Sequence, residues 1–352
     1  MACSLCSHTV LFSQGDTLSR VLLSGYAETY YGYDFGQPNE NNRPGFIYSH
    51  NRHNEVNLNL AMLKATFSED NARANLAFMA GTYANANLAA EPGVLKNIYE
   101  ANMGIRLSKK RNLWIDAGVF PSHIGFESAI GKDCKTLTRS MMADNTPYYE
   151  SGAKVTYTPE NGQWMFSGLI LNGWQRIQRI NGNRLPALGH QITFKPSDRI
   201  TLNSSSFIGN DFPEEHRRMR YFHNLFGQFQ LQKKLGLIIG IDAGMQQNAK
   251  GSTQYDKWYT PVAIVYFSPS SKINVAARAE YFSDKNGVII ATGHPDGFQT
   301  TGFSLNSDWN ISPAAVWRFE FKYMNSQAPL FVQNEQLSRN NFAITTALAL
   351  AF

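Results

Sequence analysis

The sequence contains no long hydrophobic run. No window approaches 18 consecutive apolar residues, which excludes a membrane-spanning helix. A mean hydropathy of −0.32 excludes a bundle of them. Charge is sparse: Asp, Glu, Lys and Arg make up 17% of the 352 residues, where about 25% is usual for a soluble chain. The net charge of +5 is mild and scattered, which excludes the concentrated basic face of a nucleic-acid binder. Cysteine is confined to Cys3, Cys6 and Cys134, and the CxxC spacing of the first two lacks a second pair or nearby histidines to complete a metal site. GxSxG, HExxH, P-loop and dinucleotide fingerprints are all missing, so neither an enzyme nor a cofactor is expected. Rings are what the chain has in quantity, with 23 Phe and 16 Tyr.

Residues 1–14 belong to a mildly apolar stretch, MACSLCSHTVLFSQGD, that ends in small and polar residues, and they read as the tail of a secretory signal peptide. Residues 15–352 then form a single domain in which Cys134 has no partner for a disulfide.

The chain repeats one kind of segment, about ten to thirteen residues long, alternating apolar with polar or small residues. Val56, Leu58, Leu60 and Met62 alternate with Asn57, Asn59, Ala61 and Leu63; Ala74, Leu76 and Phe78 alternate with Arg73, Asn75 and Ala77. The same period recurs at 99–107, 113–119, 149–157, 188–195, 235–245, 273–281, 315–323 and 342–352, and is weak at 163–173, 200–209 and 258–267. Period two means strands with unlike faces. Ordinary strands average five or six residues, whereas strands that cross a membrane need about nine to eleven.

The connectors alternate long and short. Tight turns such as Ser68-Glu69-Asp70 and Pro159-Glu160-Asn161-Gly162 hold the residues that turns require. Long pieces separate them, at 34–54, 85–97, 121–147, 174–186, 210–218, 247–256, 283–297 and 325–339. A soluble sandwich has no reason to put every long loop at one end. An all-β, antiparallel up-and-down transmembrane barrel of about sixteen strands does, with short periplasmic turns and long outer loops. Rings near segment ends (Tyr30, Tyr31, Tyr33, Phe67, Tyr83, Trp164, Trp174, Trp258, Tyr259, Phe267, Trp309, Tyr323) fit membrane-boundary girdles, and equally fit sandwich aromatics. Gly236, Gly240 and Gly244 share one strand face, which leaves room inside a barrel for something to pass or fold in.

The opening strand SGYAETYYGYDFGQP (24–38), WIDAGVFPSHIGFES (114–128), TRSMMADNTPYYESGAKVTY (138–157) and the closing FAITTALALAF resemble Gram-negative outer-membrane porins, in particular the OmpL-like β-barrel porin family, from about residue 20 to the end. The resemblance implies an outer-membrane location among lipid and lipopolysaccharide, and passive diffusion of small hydrophilic solutes or ions. It also implies assembly by the barrel-assembly machinery, with Phe352 as the terminal signal, and a possible homotrimer.

Alternate residues facing the lumen would then include Glu28, Lys64, Arg73, Glu100, Arg106, Asp116, Glu150, Lys154, Lys195, Asp242, Arg278, Glu280, Arg318, Glu320 and Lys322. Charges of both signs suit a wet pore, and ion pairs across strands would instead hold the wall together. In general porins the loop after the fifth strand folds inward. By that resemblance 121–147 forms a constriction with Glu127, Lys132, Asp133, Lys135, Arg139 and Asp144, opposed by Arg73 and Arg106; the other reading is an outward, solvated loop. His190, Ser204 or Ser206, and His223 fall on successive segments on the lipid-facing set, where a hydroxyl beside an imidazole is the minimum for nucleophilic attack. A phospholipase-like site, a subunit interface and a headgroup-level girdle all remain open there, as does a structural or adhesive barrel with a closed lumen. His50 and His53 read as solvated loop residues rather than metal ligands.

Overall fold

In the computed structural model, residues 20–333 and 335–352 are described, so the leader expected over 1–14 lies outside them. The alternating segments become the strands of a closed wall. In order these are β1 (Val21–Asp34), β2 (Val56–Ser68), β3 (Ala72–Ala80), β4 (Ile98–Arg106), β5 (Asn112–Pro121), β6 (Tyr149–Thr158), β7 (Trp164–Leu171) and β8 (Ala187–Ser197). The second half holds β9 (Ile200–Gly209), β10 (Arg220–Gln232), β11 (Leu235–Gln247), β12 (Tyr255–Phe267), β13 (Ile273–Asp284), β14 (Phe298–Asn310), β15 (Ala315–Ser326) and β18 (Asn340–Ala351). A small hairpin, β16 (Phe331–Gln333) with β17 (Gln336–Ser338), lies in the last connector. Each wall strand pairs antiparallel with its neighbour in sequence, and β18 closes on β1. Up-and-down connectivity therefore gathers every tight turn at one rim and every long connector at the other.

Faces follow the pleat. Outward positions are large and apolar, as at Leu63 and Met103, while inward partners one residue away are buried. On β2 the faces switch: Glu28 pairs with Leu60 and Thr29 with Leu58, so Asn59 is the extra residue of a bulge. Val56 consequently points out, whereas Leu60 and Met62 point in with Lys64. The three weakly alternating segments are β7, β9 and β12. Their inward residues (Leu169, Leu171, Phe207, Trp258, Val262, Ile264) are themselves apolar and buried, which blurs the period.

Leu169, Leu171, Phe207 and Trp258 belong to a hydrophobic core inside the barrel, towards the rim of the long loops, and Val262 and Ile264 to a second cluster around Met142. Phe120, Leu171, Phe207, Phe222, Trp258, Phe282, Phe298 and Met324 come from strand ends. Ile47, Ile124, Met141, Ile290 and Phe331 come from four connectors between wall strands, Ile124 and Met141 from the same one, and pack among them. The ring-girdle expectation is corrected at four positions: Trp258, Tyr30 and Tyr83 are buried in the interior, and Trp174 packs edge-on against Phe207 and Phe222 at 5.0 and 4.8 Å. Tyr31, Tyr259, Phe267, Trp309 and Tyr323 are exposed on the outside.

Candidate functional site

The connector between β5 and β6 does not project from the rim where it starts. Lys132 Nζ donates to Pro313 O at 2.6 Å, in the tight turn at the opposite rim, so the segment runs down the lumen. Wall charges on β13–β15 hold it through its backbone. Arg278 donates to Thr136 Oγ1 (2.8 Å) and Thr138 O (2.7 Å), and Arg318 to Cys134 O (2.9 Å) and Gly131 O. Glu320 accepts from Thr138 N (2.6 Å), Glu280 from Met141 N, and Asn306 from Leu137 N (2.8 Å); Lys322 donates to Arg139 O (3.3 Å). The same side chains pair with one another and with Asp308: Arg278–Glu320 3.0 Å, Lys322–Glu280 3.3 Å, Arg318–Asp308 2.8 Å. A buried charge is tolerable only when paired and hydrogen-bonded, and this network meets that condition.

On the β10–β12 side the contact is apolar. Phe126 meets Phe226 at 5.6 Å, and Met142 packs with Ile238, Val262 and Ile264. Gly240 lies directly beneath: a Cβ there would sit 3.1 Å from Phe126 and 3.4 Å from Met142. Asp242 is covered as well, accepting from Asn224, whose amide oxygen in turn accepts from Gly125 N. Glu28 accepts from Tyr26 (2.7 Å), Asn59 (2.7 Å) and His50 (2.8 Å). His50 and His53 are therefore interior residues, not solvated ones; His53 accepts from Asp34 N at 2.9 Å.

The lumen charges thus divide into two groups. Asp242, Arg278, Glu280, Arg318, Glu320 and Lys322 face inward but line the back of the loop instead of water, a correction with a plain cause: loop backbone needs partners when it leaves solvent. On β2 and β3 two cations stay accessible, although Glu100 and Asp116 are buried and Leu60, Met62, Ala77 and Met79 pack with the loop's Ala129 and Ile130. Lys64 is 27% exposed and pairs with Glu100 at 2.8 Å; Arg73 is 36% exposed, pairs with Asp116 and lies over the Trp114 ring at 4.4 Å. Arg106 is half-buried, and its Nε has no partner. Lys154 is also half-buried and sits 4.8 Å from the Phe120 ring, while Lys195 is exposed on β8. Glu150 is sealed by His123 at 2.7 Å.

The loop residues divide likewise. Asp133 and Lys135 are exposed and Lys132 half-exposed, with Lys135 over the Tyr266 ring at 4.6 Å. Arg139, expected in the constriction, is fully buried and donates to Ser128 O (2.6 Å), Leu137 O (2.7 Å) and Ala129 O (3.1 Å) of its own loop. Glu127 accepts from Ser140 N at 3.2 Å, and Asp144 from Ser49 Oγ at 3.1 Å. These three are internal braces and present no charge to a passage. Burial pushes the Glu127 carboxyl up, and raises Asp144 to about 6. The residues that sequence reasoning missed, His123, Asn306, Asn224 and Ser49, are ordinary polar residues whose roles depend on partners in other elements, such as Ser206 for His123 and Asp144 for Ser49.

The histidine–serine set does assemble, on the outward face. Ser206 Oγ lies 2.5 Å from His190 Nδ1, and Ser204 Oγ bridges His190 Nε2 (3.3 Å) and His223 Nε2 (3.2 Å). Among the described residues no carboxylate or amide orients either imidazole. Strand N–H groups there are committed to the ladder, which leaves no donors for an oxyanion.

A family model described as "Putative beta-barrel porin-2, OmpL-like" matches residues 20–352. No curated protein matches. Among solved structures, the anion-selective porin from Comamonas acidovorans aligns with TM-score 0.59 and 7% identity, over 94% of this chain and 99% of that one. The outer membrane channel DcaP of Acinetobacter baumannii aligns with TM-score 0.56 and 11% identity, over 94% and 97%. OmpT of Vibrio cholerae, in a trimer form, aligns with TM-score 0.56 and 8% identity, over 94% and 98%. At such identities these likenesses concern the fold.

Proposed function

The chain belongs to the OmpL-like β-barrel porin family of the outer membrane, and from that premise we propose that it conducts small hydrophilic solutes by passive diffusion with a preference for anions. The path is the crescent between loop 121–147 and strands β2–β6. The observation that carries this reading is the contrast in exposure: Arg73 and Lys64 stay at 36% and 27%, whereas Arg278, Glu280 and Glu320 are at 0%. Along that crescent Lys64, Arg73, Arg106 and Lys154 outnumber Glu100, Asp116 and the loop's Asp133. Mixed charge with a basic excess attracts anions while leaving every site weak enough to release them. The apolar core near the long-loop rim narrows the bore, so conductance is small. No chemistry is performed on the solute. Phe352 serves as the assembly signal, and three copies associate in the membrane, a reading supported by the trimer form of OmpT alone.

The test is a planar-bilayer recording under a salt gradient. Stable open steps with an anion-selective reversal potential are expected, and R73Q/R106Q should move that potential towards zero. An unchanged potential would sink the assignment of the crescent. A silent barrel would favour a second reading, a structural barrel with a closed lumen, for which the apolar core is the supporting observation.

A further inference from the structure

The outward face of the wall is an apolar band, and the His190–Ser204–Ser206–His223 cluster interrupts it. Polar side chains on a lipid-facing wall are costly at mid-membrane and much less so near the boundary. The cluster lies at the boundary. His223 pairs in register with Ser206 on one side and with Ala243 on the other, and Ala243 pairs with Tyr259. Tyr221 meets Tyr255 at 6.1 Å and Tyr259 meets Tyr281 at 5.9 Å, a ring belt at that same level. Arg220 and Tyr255 open strands that follow long connectors, so this is the outer-leaflet side.

Shape and charge make the cluster one wall of a site. Between the ridges of β10 and β12, strand β11 presents only Ala243 at this height, which leaves a groove of about 530 Å³. His190, Ser206, Ile208, His223, Met245 and Lys257 line it. Hydrogen-bond bookkeeping leaves a donor over. With both imidazoles neutral, the protons run in one direction along Ser206–His190–Ser204–His223. Either His223 Nδ1–H or the Ser206 hydroxyl then remains free. Lys257 adds an exposed cation at the rim. Donors and a cation converge in a concave site at headgroup depth, with Ile208 and Met245 level with Lys257 on the outer side and the exposed Leu225 and Ile241 on the membrane side.

We propose that this groove binds the phosphate of an outer-leaflet lipid, seated on His223, Ser206 and Lys257 with its acyl chain descending along Leu225 and Ile241. A charge-assisted contact to phosphate is stronger than any the cluster makes internally. The missing third group and missing oxyanion donors set it apart from a hydrolase. The test uses the full chain in phosphatidylcholine nanodiscs doped with lipid A or with phosphatidylglycerol, followed by native mass spectrometry. Wild type should retain the dopant, whose phosphate charge no choline offsets, about tenfold over zwitterionic phosphatidylcholine. H223L/K257Q should lose that preference while keeping its heat-dependent gel mobility and its conductance, and K257R should retain it. Equal retention by wild type and H223L/K257Q would overturn the site. Displacement by inorganic phosphate alone would assign it to a free anion instead of a lipid. Loss of oligomer without loss of lipid would make a second copy the occupant, and fatty-acid release abolished by S206A would make it a hydrolytic centre.

Discussion

Arg139 donates from all three guanidinium nitrogens to carbonyls of the loop that carries it, and none of its surface meets solvent. Arg139→Ala would leave Leu137 O and Ala129 O unsatisfied and Ser128 O with only the Cys134 thiol, at about 1–3 kcal/mol for each unsatisfied group. The wall ladder is untouched, so the barrel should still migrate as a folded species. Loop 121–147 should become protease-sensitive, and single-channel current noisier; a quiet, resistant variant would refute the brace. Asp144 makes a pH-dependent counterpart. Burial raises its carboxyl to about 6, against about 3.9 in an unfolded chain. The folded loop therefore holds the proton more tightly, and the cost of a buried charge appears as pH rises from about 4 to about 6. That cost is about 3 kcal/mol above pH 6, net of the relief that Lys322, Arg139 and the Ser49 hydrogen bond supply. Asp144→Asn should slow proteolysis of the loop at pH 7.5 and leave it unchanged at pH 4. Equal ratios at both pH values would contradict this.

At the scale of elements, the loop and the strand face beneath it were shaped together. Gly240 allows Phe126 and Met142 to approach, and the sequence signal for it, three glycines on one face of 235–245, was legible. Gly240→Val would press a branched side chain against both, an overpacking cost of roughly 1–3 kcal/mol. The loop should shift off β11, and conductance should rise without loss of folded barrel; an unchanged conductance would show that the loop is held wholly by β13–β15. The β2 bulge was not legible. Asn59 sits in an unbroken alternation, and only its neighbour's register shows that Leu60 and Met62 have changed face. The charges on β13–β15 were readable as inward but not as covered, because their partners are backbone groups of a segment at least 138 positions away.

For the whole molecule the seam matters most. β18 pairs with both β1 and β15, and Phe352 exchanges backbone hydrogen bonds with Gly25 at 2.7 and 3.0 Å while its ring stays 62% exposed. Its alanine face, Ala343, Ala347 and Ala349, is buried beneath Tyr26, Tyr30 and the loop's Leu137, so small residues there make room for packing rather than for water. Deleting Phe352 removes the last rung and an exposed ring but no lumen contact. Folded yield, read as the heat-sensitive fraction on a gel, should fall severalfold, and the molecules that do assemble should conduct normally. An altered conductance with normal yield would place Phe352 in the pore instead.

The sequence by itself determined the barrel, because period two over ten or more residues, with long and short connectors in turn, leaves a chain so poor in charge few other ways to satisfy its backbone. It determined the inward set on most strands for the same local reason. Tertiary structure alone decided which half of that set is wet. Whether an inward arginine meets water or a carbonyl depends on where a distant loop comes to lie, and the loop's position rests on pairings such as Arg318 with Cys134 O that no local pattern encodes.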